Sequence, residues 1–308
     1  MPHPLALPPG ITLLERGWLS SNNILICGQR HCALVDSGYA SHAAQTLALV
    51  TARLGQRALD VLANTHLHSD HCGGNAALQA RYPALQTLIP PGQAKDVADW
   101  DPAALTYHPT GQQCERFTFS GTLQPGTELD LGDQRWQLHA APGHDPHSVL
   151  LFEPATRLLL SADALWHNGF GVVFPELDGS DAFDDVARTL DLIESLQPRL
   201  VIPGHGGAFS DVSAALARAR SRLESFVKHP AKHRRHAAKV MVKFKLLDAQ
   251  RLAWRDLLAW AEATELLRNL HRQDGAVGHF EGWLSALVDE LAASGAVVQD
   301  AGVITNQG

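Results

Sequence analysis

The sequence predicts an α+β fold, and three observations carry that reading. Short apolar runs alternate with helix-period segments through the first two hundred residues. Gly, Pro, Asn and Asp punctuate the spaces between the runs, as turns require. From about Ser210 onward the pattern becomes helix-dominated. A chain of 308 residues, 45% hydrophobic and 19% charged, has enough apolar surface for one large core and a smaller appendage.

Ile11–Glu15, Asn23–Cys27 and Cys32–Asp36 read as strands, with Gly28-Gln29 as a turn between the last two. Ser41 is placed to cap a helix running to Leu54, whose apolar positions Ala44, Leu47, Ala48 and Leu54 follow a helical period. Leu59–Ala63 reads as a strand, Ala76–Arg81 as a short helix ended by Pro83, and Leu85–Ile89 as another strand. Residues 90–127 are rich in Pro, Gly and Thr and carry Trp100, Tyr107, Phe117 and Phe119. Such a segment covers a site or packs on its own aromatics. Strands resume at Glu128–Leu131, Arg135–Ala140, Ser148–Phe152 and Arg157–Leu160, followed by an amphipathic helix at Asp181–Leu196 and a strand at Leu200–Ile202. Helical patterns at 246–271 and 280–294, then a hairpin across 296–304, give the tail a winged-helix-like outline.

The most informative stretch is Asn64-Thr-His-Leu-His-Ser-Asp-His-Cys-Gly-Gly74. His66, His68, Asp70 and His71 offer imidazole nitrogen and carboxylate oxygen, donors that a borderline cation such as Zn²⁺ accepts without thiolate. If the preceding strand runs that far, its period of two sets His66 and His68 on one face, and the turn after it aims Asp70 and His71 at a second ion. Further donors stand where strands give way to loops, with Gly or Pro beside them: His144 in Pro-Gly-His-Asp, Asp163 after Leu-Leu-Leu-Ser-Ala, and His205 in Pro-Gly-His-Gly.

A net charge of −7 argues against a surface built wholly for nucleic acid. Cys27, Cys32, Cys72 and Cys114 show neither C-x-x-C spacing nor a secreted framework, which fits thiols in a reducing compartment. Cys72 reads as a buried filler. The N-terminal residues lack a basic region and a long apolar run, so neither a signal peptide nor a membrane span is expected, and the cytoplasm is the expected location.

The ordered set H-x-H-x-D-H, then His144, Asp163 and His205, resembles the metallo-β-lactamase superfamily across residues 10 to 210. The resemblance implies an αββα sandwich with metals at one edge between the sheets. It implies a catalytic domain over 1–210 and a helical, winged-helix-like region over 211–308. His66, His68 and His144 would bind one metal, Asp70, His71 and His205 a second, and Asp163 would bridge them. Asp36, in Leu-Val-Asp-Ser-Gly, matches the acidic residue that supports such sites from beneath; an ordinary turn-initiating Asp is the alternative.

True class B β-lactamases carry Cys where this chain has Asp163, which makes antibiotic hydrolysis an unexpected native role. The bridging Asp is similar to that of the glyoxalase II, lactonase and phosphodiesterase-like branches. The implied cofactors are two divalent ions, zinc first with iron or manganese as alternatives. Such ions about 3.5–4 Å apart hold a hydroxide that attacks an ester, thioester or lactone, with Asp70 or Asp163 accepting its proton. His147 would contact substrate or solvent, and Trp100, Tyr107, Trp166, Phe170 and Phe174 would line the mouth or the core. One alternative is a nuclease, because residues 228–245 hold seven Lys/Arg, three His and no acid; a solvated helix face is the plainer reading of that run. Another is a persulfide dioxygenase with a single iron. The expected partner is a small molecule, with no membrane, nucleic acid as the weaker alternative, and a homodimer open.

Overall fold

Leu, Val and Ile runs too short for helices build two sheets. The computed structural model describes residues 5–274 and 279–307. They form two compact units, one of residues 5–105 and 113–224, the other of residues 106–112, 225–274 and 279–307.

In the first unit, β1 (Ile11–Leu14), β2 (Asn23–Cys27) and β3 (Cys32–Val35) precede α1 (Ala43–Leu54) and β4 (Val61–Ala63). Next come α2 (Ser69–Cys72), α3 (Asn75–Arg81), β5 (Gln86–Ile89), α4 (Ala94–Asp99) and β6 (Gly121–Thr122). β7 (Glu128–Leu131), β8 (Gln134–Ala140), β9 (Val149–Glu153) and β10 (Leu158–Ala162) lead to α5 (Phe174–Leu177), α6 (Ala182–Leu196), β11 (Leu200–Pro203) and α7 (Val212–Lys228), whose residues 225–228 fall in the second unit. One sheet has the order β1-β2-β3-β4-β5-β6 and the other β11-β10-β9-β8-β7.

Ile24, Ile26, Val35 and Ala63 of the first sheet share a core with Trp136, Leu138, Val149, Leu151, Leu160 and Ile202 of the second. The other face of the first sheet, through Leu25, Leu34 and Leu62, packs on Val50 and Leu54 of α1 and Leu78 of α3. α6 buries Phe183, Val186, Leu190 and Ile193 at helical spacing. This is the αββα sandwich. Strands covered on both faces lose the alternation of apolar and polar residues, which is why β3, β9, β10 and β11 are buried throughout. β3 and β4 run parallel, as do β10 and β11, so their carboxyl ends open on loops.

Several expectations change. The strand before the metal motif ends at Ala63, so His66 and His68 sit on a loop and not on a strand face. The segment 90–127 contains α4 and β6. A 3₁₀ turn over Ala40–His42 takes the place of a Ser41 cap. The expected set of four thiols is corrected at one pair: Cys27 and Cys32 stand directly opposite in the β2–β3 register and are joined in a disulfide. Cys72 and Cys114 are free, and Cys72 is buried.

The second unit runs α8 (Pro230–Ala249), β12 (Arg251–Ala253), α9 (Trp254–Ala263), α10 (Glu265–Gln273), α11 (Phe280–Ala293), β13 (Val297–Asp300) and β14 (Val303–Asn306). The helical pattern at 246–271 is therefore broken twice, by β12 and at Thr264. The hairpin pairs back on β12 in the order β12-β14-β13, a winged-helix-like arrangement. Residues 106–112 belong here: the Leu266 amide donates to the Pro109 carbonyl at 3.0 Å, and Tyr107 is buried. Residues 230–245 of the basic run lie on α8, and much of it is paired within the unit. Glu290 accepts from Arg235 at 2.7 Å and Lys239 at 2.9 Å, Arg234 lies 3.5 Å from Asp274, and Lys243 donates to the Ala296 and Gln307 carbonyls. Among the described residues no helix is long and apolar enough to cross a membrane.

Candidate metal centre

Each donor stands just past a strand's carboxyl end: Asp36 after β3, the 66–71 group after β4, His144 after β8, Asp163 after β10 and His205 after β11. The sandwich thus gathers residues distant in sequence at one rim. The seven expected donors form two groups, His66 with His68 and His144, and Asp70 with His71, Asp163 and His205.

In the first group, His66 Nε2 lies 3.1 Å from His68 Nδ1, which lies 2.8 Å from His144 Nε2. Three ring nitrogens this close approach the spacing of donors sharing one tetrahedral ion. The opposite nitrogens are held by the protein. His144 Nδ1–H donates to the Val172 carbonyl at 2.6 Å, His66 Nδ1 lies 3.2 Å from Thr65 Oγ1, and His68 Nε2 faces Asp145 Oδ2 at 3.7 Å. Such partners select the tautomer that frees the converging nitrogen. Burial, with His71, His68 and His144 nearby, pushes the His66 imidazole well below its ordinary pKa. Burial and His68 push that of His144 down to about 4. Both are therefore neutral near pH 7, the form that ligates.

The second group is charged. His205 Nε2 lies 3.1 Å from Asp70 Oδ2, and His71 Nε2 lies 3.4 Å from Asp163 Oδ1. Asp163 reaches both groups, since its Oδ2 is 3.4 Å from His144 Nε2 and 3.8 Å from His205 Nε2. Burial disfavours charge on every member, yet the mutual attractions prevail. Asp163, Asp36 and Asp70 hold His71 well above its ordinary pKa, and Asp163 with the Asp70 hydrogen bond raises His205. Against burial, His71 and His205 lower both Asp163 and Asp70. Asp163 and Asp70 thus favour the positively charged form of both imidazoles. His71 Nε2 is also buried without a hydrogen-bond partner. A cluster that demands positive charge and leaves a buried nitrogen unsatisfied suits a divalent cation.

Asp36 lies beneath, with φ 59° in the left-handed region. Its carboxylate accepts from the Thr65 amide and hydroxyl, each at 2.8 Å, and from His71 Nδ1–H at 2.8 Å. Two of the glycines are required by close approach. A Cβ on Gly204 would lie 2.2 Å from Asp163 Oδ1, and one on Gly73 would lie 2.4 Å from the Ala40 nitrogen.

Of the expected mouth aromatics, Phe174 contacts the rings of His68 and His144, at 5.1 and 5.6 Å, and Trp166 Nε1–H donates to Asp163 Oδ1 at 3.2 Å. Trp100 packs on Phe117, Phe170 is buried, and Tyr107 is in the second unit. His147 donates its amide to Asp145 Oδ1. Its ring lies against Gly92, where a Cβ would stand 2.0 Å from Nδ1. Sequence reasoning missed Asp145 and Thr65; each is a single residue of a common type, and only its neighbours in space mark it.

A sandwich with a histidine–aspartate rim defines a metal-site protein of the αββα class. The chain belongs to the metallo-beta-lactamase superfamily, whose model matches residues 16–205. It is similar to an acyl-coenzyme A thioesterase of Homo sapiens, at 25% identity over 154 residues, 47% of this chain and 55% of that protein. A hydroxyacylglutathione hydrolase of Vibrio cholerae serotype O1 is 28% identical over 202 residues, 65% of each chain. The chain thus spans about half to two thirds of the length of these relatives. In fold it is similar to a metallo-beta-lactamase family protein of Thermus thermophilus, with TM-score 0.59 and 21% identity over 98% of this chain and 100% of that one. A beta-lactamase domain protein of Burkholderia ambifaria gives TM-score 0.60 and 20% identity over 99% and 94%.

Proposed function

We propose that this protein is a metallohydrolase that cleaves an ester, thioester or lactone-type bond with two divalent ions, zinc first, acting on a small molecule. The observation that carries the reading is Asp163, within 3.4 Å of nitrogens from both donor groups. When bound, two such ions lower the pKa of a shared water toward neutrality and polarise the scissile carbonyl. His66, His68 and His144 would hold one ion, Asp70, His71 and His205 the other, and Asp163 both. Asp70 and Asp163, kept ionised by His71 and His205, are placed to take the attacking water's proton. Asp36 orients His71 through its hydrogen bond, and Asp145 faces His68. The likeness to a thioesterase and a hydroxyacylglutathione hydrolase supports thioesters as the first class to try.

The second donor group favours two ions over the single iron of the dioxygenase reading. The nuclease reading loses support from the pairing of Arg234, Arg235, Lys239 and Lys243 within the second unit. α11, at the position of a winged helix's reading helix, carries Glu281, Asp289 and Glu290 and no Lys or Arg. A panel of thioesters, esters, lactones and phosphodiesters, assayed with zinc-loaded protein, tests the reading. Turnover of a carbonyl substrate supports it; turnover of phosphodiesters alone overturns it.

A further inference from the structure

We propose that Trp18 is a specificity-determining residue, an indole platform that seats an apolar acyl chain beside the metal centre; the inference rests on the hydrolase reading above and names the substrate class. Trp18 is 52% exposed, unusual for so large an apolar side chain, yet it is not adrift. Its ring stacks on His205 at 5.4 Å with planes 9° apart, and meets Trp166 edge-on at 5.2 Å. Trp166 is itself fixed by its hydrogen bond to Asp163.

The β1–β2 loop that carries Trp18 is tied to two of the three segments that supply the second donor group, those of Asp70 and His205. The Ser21 amide donates to the Asp70 carbonyl at 2.9 Å and the Asn22 amide to the Gly204 carbonyl at 2.6 Å. The Asn22 side-chain amide donates to the Pro203 and Gly206 carbonyls, and its Oδ1 accepts from the Arg16 amide. Arg16, the cation of this loop, turns inward to Asn23, Thr46 and Gln45 and offers no charge to a ligand there. The loop therefore presents the Trp18 ring next to His205, and its exposed anion, Glu15, lies instead against Gly207. An exposed apolar ring held rigidly at a reaction centre gains its burial from what binds there. A carbonyl reacting at the donor cluster would lay its acyl chain along the Trp18 face.

Hydrolysis of p-nitrophenyl acetate and octanoate by zinc-loaded wild type, Trp18→Ala and Trp18→Phe tests this. The octanoate-to-acetate ratio of kcat/KM should fall roughly tenfold or more in Trp18→Ala and be largely retained in Trp18→Phe. Metal content should be equal in all three. A ratio unchanged in Trp18→Ala overturns the proposal. If wild type cleaves neither ester, the hydrolase reading is what fails for these substrates, and binding decides the platform separately. Octanoate, and not acetate, should then saturably change tryptophan fluorescence in wild type and lose that effect in Trp18→Ala. No octanoate response in wild type overturns the proposal on this arm.

Discussion

His71 Nδ1–H donates to Asp36 Oδ2 at 2.8 Å, and this bond fixes which nitrogen of a buried imidazole faces the metal centre. The same carboxylate holds the Thr65 amide and hydroxyl, so one side chain ties the end of β3 to the start of the ligand loop.

Asp36→Asn should weaken the second donor group without touching it. An amide offers one acceptor oxygen and sets an N–H against either His71 or Thr65. Metal affinity is expected to drop about 10–100-fold. Stability is expected to fall by about 1–3 kcal/mol, because a buried donor is left unpaired. Competition with a chelator and denaturant unfolding of the metal-free protein measure the two effects separately.

Gly204→Ala tests whether the close approach of β11's exit loop is needed. The added methyl would meet Asp163 Oδ1 at 2.2 Å and His71 Cε1 at 3.0 Å. Overpacking of this kind costs about 1–3 kcal/mol. The displaced carboxylate should also lower metal content. A variant with wild-type metal content and stability would show that the loop is free to yield.

His233, on α8 in the second unit, gives a pH dependence distinct from the metal centre. It is buried, and burial, with His236 and Arg234 adding to it, pushes its pKa down to about 4. The unfolded chain takes up a proton near its ordinary pKa of about 6.5, while the folded chain stays neutral. Its contribution to stability is therefore full above about pH 6.5 and is lost as pH falls from there to about 4. The loss is about 3 kcal/mol across that window. His233→Gln should flatten the pH dependence of unfolding free energy between those limits. Urea titrations at several pH values on both proteins provide the comparison, and parallel curves would contradict it.

Much of the sandwich and the seven donors is legible in the sequence because the relevant signals are local or ordered. β2, β3 and β11 are compact apolar runs and β7 an alternating one, all between turn residues, and the donors cluster at 66–71 or recur beside glycines after strands. The spacing of two between His66 and His68 suggests a strand face, yet it suits equally a loop that turns both rings to one point, and the loop is what forms. Thr264 and β12 break an apparent helix that periodicity alone leaves continuous. The Cys27–Cys32 bond depends on cross-strand register, which residue spacing does not report. Trp18 and Asp145 carry no motif. What distinguishes them is a stacked His205 in one case and a facing His68 in the other, and both relations arise only after folding.

The central claim is that Asp163 joins two donor groups around a pair of cations, and metal quantification on purified wild type and Asp163→Ala tests it most directly. The account predicts about two divalent ions per chain in wild type and fewer than about one in the folded variant. Equal metal content in the two proteins, with matching circular dichroism spectra, would contradict it.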